Sequence, residues 1–507
     1  MSTTTNSGAR VDLGKLSHRL TKNGQVTSPG VSLASKRRVE ELLLKDAEEH
    51  HCYFRGSGFH NHLSHHLLAA YDLGATAEHL QKMYDVEAKS QRPVFVEEKD
   101  KEIVVDDGNW VQYLGNQSAY GAFVTFFAEK IEKKGVAATL EEYVFTKEAN
   151  TSEKVMLVRL VSGAVHPFIQ VGYALEFGNE AMVAPALAQT AVHNPMGPQL
   201  YDFHQRGTSD TAASADQLSI FELIAEVYAA PELKPGPYEP DALHNARLRG
   251  ILAKEEVVKK VRELCARFAL PSSSASNNFD AQVDSTIHDL ILAATLLTFA
   301  VSKPNRPPRL DFFLMHLVTS SLFLKPIKGA LRKEEDKLNL LRAFVPTMVL
   351  LMLSRGRPRI DVGVLEGYTA VPRPPVAGKG EVKLSKEAIG SPEEDGDYNP
   401  WHAMHADVLY HPDMHLIKTF RTLIFANREY GGGGPVKLPG SFRITPSPNL
   451  SSHTGSSMEG RVTVDDTVYT RAAGVLMDYM GWVTHGQDPR EDWDRSALGW
   501  DEAWKED

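Results

Sequence analysis

The chain has 507 residues, 42% of them hydrophobic and 24% charged, with a net charge of −10 and a pI near 6.1. This acidic balance argues against general capture of nucleic acid, and no apolar run approaches the roughly 18 residues a membrane span requires, so neither nucleic acid nor membrane is expected as a partner. Cys52 and Cys265 are the only cysteines; two are too few for a disulfide framework or a four-thiolate metal site, and they fit a reducing, cytoplasmic compartment.

Residues 1–35 are polar, without the apolar core of a signal peptide, and read as a flexible N-terminal arm. From residue 36 to 507 the pattern reads as a single large helical domain. A first helix leads to Phe59-His60-Asn61-His62-Leu63-Ser64-His65-His66-Leu67-Leu68, where four histidines fall within seven residues. Helical spacing sets His62 and His66 one turn apart on the same side, while His65 points away. After Gly74 a helix is expected over 77–84, then others over 108–134, 139–161, 168–177 and 182–192. Further helices follow over 217–232, 256–268, 283–302, 310–324 and 337–353. Strand signals are confined to 102–105 and 461–464. The expected class is mainly α, a large bundle-like domain with few short strands. Two Pro/Gly-rich stretches, 372–400 and 430–457, read as long loops, the first placed to act as a lid.

Several chemistries lack their signature. There is no G-x-G-x-x-G after a strand, no P-loop, no G-x-S-x-G elbow and no H-E-x-x-H. Redox chemistry here would need a metal, or a cofactor bound without a recognisable fingerprint. Neutral imidazole is the commonest ligand for a transition metal, so the histidines carry the argument.

Pro412 and Asp413 start a helix well. On that helix Leu416, Ile417, Phe420, Leu423 and Ile424 form one apolar face. His415 and Lys418 lie on the other face with Thr422, Phe425 and Ala426. That second face is either solvated or turned inward, and Phe425 and Ala426 favour the interior. His411 sits just outside the helix. His316, among Phe312, Phe313, Ser320 and Phe323, is buried and needs a partner, as a ligand or as a core histidine bonded to a hydroxyl. His166, before Pro167, stands at a break where a side chain can turn inward. A competing set is His405-x-Asp407 with His453 or His485, a 2-His-1-carboxylate pattern on a chain that lacks the strands on which such triads sit.

Four segments taken in order resemble the fungal questin oxidase-like family. They are the 59–68 histidine stretch running into Leu73-Gly74-Ala75, His166-Pro167-Phe168-Ile169 with 172–178, Asp311-Phe312-Phe313-Leu314-Met315-His316 with Thr319-Ser320-Ser321, and His415-Leu416-Ile417-Lys418 with Arg421. The likeness extends over about 40–485. One position departs from it: the family often has a second histidine four residues after that of the His-Pro pair, and here Gln170 stands there.

The resemblance implies an oxidoreductase of secondary metabolism, acting on a small aromatic polyketide. It would oxidatively open an anthraquinone ring, or carry out a Baeyer–Villiger-type step with NADPH. The corresponding expectation is a non-haem iron (Fe2+) site drawn from His62, His66, His166, His316 and His415, four of them binding and the fifth supporting a ligand, with dioxygen as co-substrate. Lys418 stands beside it, and with His415 it forms the catalytic pair. An ammonium beside a divalent cation is repelled, so Lys418 points away, loses its proton, or reacts with carbon dioxide. A carbamate would give the ligand set its anionic oxygen. The rivals are a zinc hydrolase or lyase on the same ligands and a non-enzymatic helical scaffold. Oligomeric state is open.

Overall fold

The computed structural model describes residues 10–54, 59–203, 216–272, 278–375, 384–445, 461–490 and 492–505. Among these lie 19 α-helices and one two-stranded antiparallel hairpin, so the mainly α class holds. The chain divides into two compact units, one comprising 1–210, 273–275 and 323–344, the other 211–272, 276–322 and 345–507.

In the first unit the helices His166–Phe177 and Glu180–Val192 are buried along every residue but Glu180. Both are apolar along most of their surface, the pattern of a helix enclosed by others, and Tyr120–Lys134 packs against the second. Phe126, Phe127 and Tyr143 meet edge to face at 5.1–5.5 Å, filling the space beside it. A Cβ on Gly172 would lie 2.2 Å from Phe323, so only glycine lets that ring pack against the helix.

The expected long helix over 139–161 is instead several short helical pieces, Val136–Leu140, Glu141–Phe145, Glu148–Asn150 and Met156–Leu160. Asn150 explains the break. Its amide donates to the carbonyls of Val144 and Thr146 and accepts from Leu157 N–H, local bonds that compete with a helix ladder. Likewise 108–119 forms only short turns before Tyr120–Lys134 begins.

Residues 10–32 carry no helix, yet they are fastened down. Buried Glu40 accepts from Leu20 N–H, buried Asp72 accepts from the N–H groups of Val26 and Thr27, and Phe177 C=O accepts from Thr21 and Lys22. Residues 1–9 of the expected arm lie outside the described residues.

In the second unit Met414–Tyr430 packs against both Phe312–Ser321 and Val468–Met480, and Phe279–Phe299 lies on Phe312–Ser321. Glu334–Ser354 supplies 334–344 to the first unit and 345–354 to the second. It is long and apolar enough to cross a bilayer by composition, and 83% of its apolar window is buried within the protein. The strand signal at 461–464 is borne out, pairing Arg461–Val464 with Val436–Pro439. That strand falls inside the expected 430–457 loop, of which 446–457 lies outside the described residues. The signal at 102–105 fails: the segment leaves a short turn ending at Glu102 and has no ladder partner. In the 372–400 loop, 376–383 lie outside the described residues. The rest has no regular structure before Pro400 and is pinned by Arg373, which bonds Asp395 and lies 3.8 Å above the Tyr398 ring.

Candidate functional site

Each unit brings expected histidines together. In the first, His62 immediately precedes the helix Leu63–Asp72 and His166 opens His166–Phe177. Gly163, Ala164 and Val165 all adopt left-handed backbone, with φ of 58°, 50° and 60°. For alanine and a β-branched valine that conformation is costly, and such strain gathers at functional sites. The turn folds His166 back so that Nδ1–H donates to Gly163 C=O at 2.6 Å, leaving Nε2 2.9 Å from His62 Nε2. A carbonyl can only accept, so His166 holds its proton on Nδ1 and presents a lone pair at Nε2. That lone pair faces His62 Nε2.

Two histidines outside the expected set extend this arrangement. His60 stacks on His166 at 3.8 Å, and its Nε2 lies 2.7 Å from His193 Nε2. His193 donates Nδ1–H to Gln189 C=O at 2.8 Å, and the Tyr53 hydroxyl lies 3.2 Å from its ring nitrogens. Burial lowers the His193 pKa to about 4, opposed by the Gln189 carbonyl and aided by Arg159. A Cβ on Gly163 would sit 2.4 Å from His193 Nε2 and 3.2 Å from His60 Nε2, so the turn needs glycine there. His193 stands 133 residues from His60, and no local pattern joins them.

The helical spacing of His62 and His66 does not make them a pair. His66 Nδ1 bonds the Glu87 carboxylate, while its Nε2 is shielded from water with no hydrogen bond among the described residues. His65, expected to point away, is fully buried and stacks on Tyr173 at 5.2 Å. Gln170 accepts from the Ser64 hydroxyl at 3.1 Å.

In the second unit two aspartates position the chemistry. Asp311 caps Phe312–Ser321 through the N–H groups of Phe313 and Leu314, and its other oxygen takes Arg355 Nε at 2.8 Å. Their side chains are 0% and 1% exposed. Asp413 caps Met414–Tyr430 through His415 and Leu416 N–H, and accepts from Trp493 Nε1. Burial opposes its charge, but His415, Trp493 and the cap bonds hold its pKa well below the usual carboxylate range. One turn into the first helix, His316 donates Nδ1–H to Phe312 C=O at 2.7 Å, again leaving Nε2 as the lone pair. The His415 ring lies 5.4 Å from that of His316, and Phe312 touches both at 4.7 and 5.1 Å. Burial lowers the His316 pKa well below its ordinary value, with His415 and Lys418 adding to it; burial and Lys418 also lower that of His415, opposed by Asp413.

Lys418 is 2% exposed. Thr422, Phe425 and Ala426 are buried with it, so the second face of this helix is interior, as Phe425 and Ala426 suggested.

Of the competing set, Asp407 accepts from Val483 and Thr484 N–H and the Thr484 hydroxyl, a cap for a short turn, and has His485 Nδ1 at 3.6 Å, while the His405 ring lies 6.5 Å from that of Phe420. His453 lies outside the described residues. His411 bonds Met480 C=O and Asp413 N–H, which uses both ring nitrogens.

The donor chemistry fits a transition metal. Neutral imidazoles with Nδ1 held by a carbonyl and Nε2 as lone pair are the oriented ligands such ions take. His166 and His316 show that arrangement directly, and His415 has Nδ1 3.5 Å from Asp413.

Residues 59–423 match the questin oxidase-like family. The Baeyer-Villiger monooxygenase dmxR6 of Cryptosporiopsis sp. is 31% identical over 311 residues, covering 60% of this chain and 67% of that protein. The questin oxidase of Aspergillus terreus is 27% identical over 397 residues, covering 76% and 79%. The Baeyer-Villiger oxidase AgnL3 of Paecilomyces divaricatus is 26% identical over 395 residues, covering 77% and 78%. Matched over most of its length, and through the segments that hold His62, His166, His316 and His415, the chain belongs to the questin oxidase-like family and is an oxidoreductase.

Proposed function

We propose that the chain is a non-haem iron oxygenase that cleaves a ring carbon–carbon bond of an anthraquinone-type polyketide, with dioxygen as co-substrate. The observation that carries it is the tautomer fixed at His166 and at His316, each a buried imidazole whose Nδ1–H is tied to a main-chain carbonyl. The iron draws its ligands from the expected histidines. His316 and His415 are the two that the second unit presents together, and His66, with Nδ1 on Glu87 and Nε2 buried, is also oriented as a ligand. When bound, iron supplies a route for electrons from an easily oxidised phenolate to dioxygen. The chain's own part is to hold neutral nitrogen donors in a dry, aromatic setting and to keep water away.

Lys418 is buried close enough to lower the pKa of both His316 and His415. Its neutral amine adds carbon dioxide and releases one proton, giving a carbamate whose anionic oxygen completes a set otherwise made of neutral donors. Metal analysis of purified protein, anaerobic turnover and the intact mass test this reading together. Iron near one equivalent, turnover lost without dioxygen, and a mass increment of one carbon dioxide that vanishes in Lys418→Met support it; less than a tenth of an equivalent of any transition metal removes it.

A second reading is favoured by the names of the relatives. A Baeyer–Villiger-type enzyme inserts one oxygen atom beside a carbonyl, sends the other to water, and consumes one NADPH per turnover. A ring-opening dioxygenase places both atoms in product and consumes none. Labelled dioxygen and NADPH stoichiometry separate the two.

A further inference from the structure

His244 belongs to neither histidine pair, and the expected ligand set does not contain it. It opens the helix His244–Leu252 in the second unit, which starts without a side-chain cap. Its ring lies flat on Phe313, centroids 3.6 Å apart and planes 12° from parallel. Phe313 meets Phe312 edge to face at 5.2 Å, and Phe312 in turn touches His316 and His415. A wall of three aromatic rings thus runs from His244 to the histidine pair. Arginines border it: Arg355 lies 4.8 Å from the centre of Phe313 and Arg495 4.4 Å from that of Phe312.

Both ring nitrogens of His244 are shielded from water, and neither has a hydrogen bond among the described residues. Buried polar atoms in folded proteins have partners, and a group left without one bears its full desolvation cost. Burial, with Arg355 and Arg247 adding to it, lowers the His244 pKa to about 3. The ring is therefore neutral, with one N–H to donate and one lone pair to accept. Arg247 and Ile251, three and seven residues further along the helix, line a cavity of about 290 Å³ with Leu353, Ser354 and Trp500, and His244 stands one turn behind that lining. That volume is close to the lower end of the range for small-molecule sites.

One donor, one acceptor, aromatic neighbours and nearby guanidinium groups together complement a flat, weakly acidic phenol. A quinone carbonyl takes the N–H, and a ring hydroxyl gives its proton to the lone pair. We propose that His244 is a substrate-contact residue that hydrogen-bonds a hydroxyl or carbonyl of the polycyclic substrate and so selects hydroxylated over unhydroxylated rings. This inference rests on the aromatic-polyketide reading above.

The test uses the full-length, metal-loaded protein. The probes are a dihydroxyanthraquinone with both hydroxyls flanking one carbonyl and the parent anthraquinone without hydroxyls. His244→Phe keeps a flat ring against Phe313 and removes both nitrogens, His244→Leu is a second apolar variant, and His244→Asn restores a donor and an acceptor. The apolar variants are expected to raise KM, and the Kd from a binding titration, about tenfold. They should lose the preference for the hydroxylated probe while keeping kcat, metal content and melting temperature near the starting values, with His244→Asn recovering much of the loss. An apolar variant with unchanged KM, Kd and preference overturns the proposal and leaves the functional reading standing, since a water then satisfies the ring. A natural protein that neither binds nor turns over the dihydroxyanthraquinone overturns both.

Discussion

His166 and His316 both donate Nδ1–H to a main-chain carbonyl, but the backbone that permits it differs. At His166 the acceptor is Gly163 C=O, reached through three successive left-handed residues. At His316 the acceptor is Phe312 C=O, one turn back in an ordinary helix that Asp311 caps. The first device stores backbone strain and depends on a glycine. The second is relaxed backbone that depends on a buried charge, held in turn by Arg355. The surroundings differ as well. The first pair continues into a polar chain of His60, His193 and Tyr53, whereas the second is set among phenylalanines and buried cations. One imidazole orientation is reached by strain in one case and by electrostatics in the other, so the two should fail differently.

The comparison breaks most completely at the rings themselves. His316→Ala and His415→Ala should each lose metal and activity together, by more than the 10–100-fold that a lost outer partner costs, as read by metal content alongside turnover; a fully active His415→Ala removes it from the site. Next is the buried charge. Asp311→Asn leaves Arg355 uncompensated and should cost about 3–5 kcal/mol by denaturant unfolding, far more than a cap alone. Gly163→Ala adds a left-handed penalty to a clash with His193 and should cost about 2–4 kcal/mol, with metal affinity falling if His166 shifts.

A pH experiment sharpens the contrast. The folded-state pKa of His193 is lowered from 6.5 to about 4, chiefly by burial, so the unfolded chain binds the proton more readily. Stability from this group is complete above pH 6.5 and is lost as pH falls toward 4, by order of 1–3 kcal/mol. His193→Gln should flatten the pH dependence of the melting temperature in that window. The smallest effect is expected at His66. His66→Gln should change metal content and turnover by less than about threefold, because His62 pairs with His166 and not with His66; complete metal loss in this variant would establish His66 as a ligand.

Much of the fold was legible locally. Apolar periodicity marked most long helices, and Asp413 before His415 announced a helix start that the structure bears out. Helix 139–161 was misread because Asn150 competes for the backbone through bonds that apolar spacing does not register. The site was legible as a set of histidines and not as an arrangement. His62 and His66 looked like one unit because helical spacing assumes a helix through both, yet His62 stands before the first turn and bonds His166, 104 residues away.

The residues by themselves determined the helical class, the start of the helix carrying His415, and the family, because these rest on periodicity and short motifs carried within one segment. Only the tertiary structure decided which nitrogen faces which. Partners such as His60 and His193, or His66 and Glu87, meet through the packing of separate segments, and the proton on each ring is fixed by whichever carbonyl or carboxylate that packing delivers.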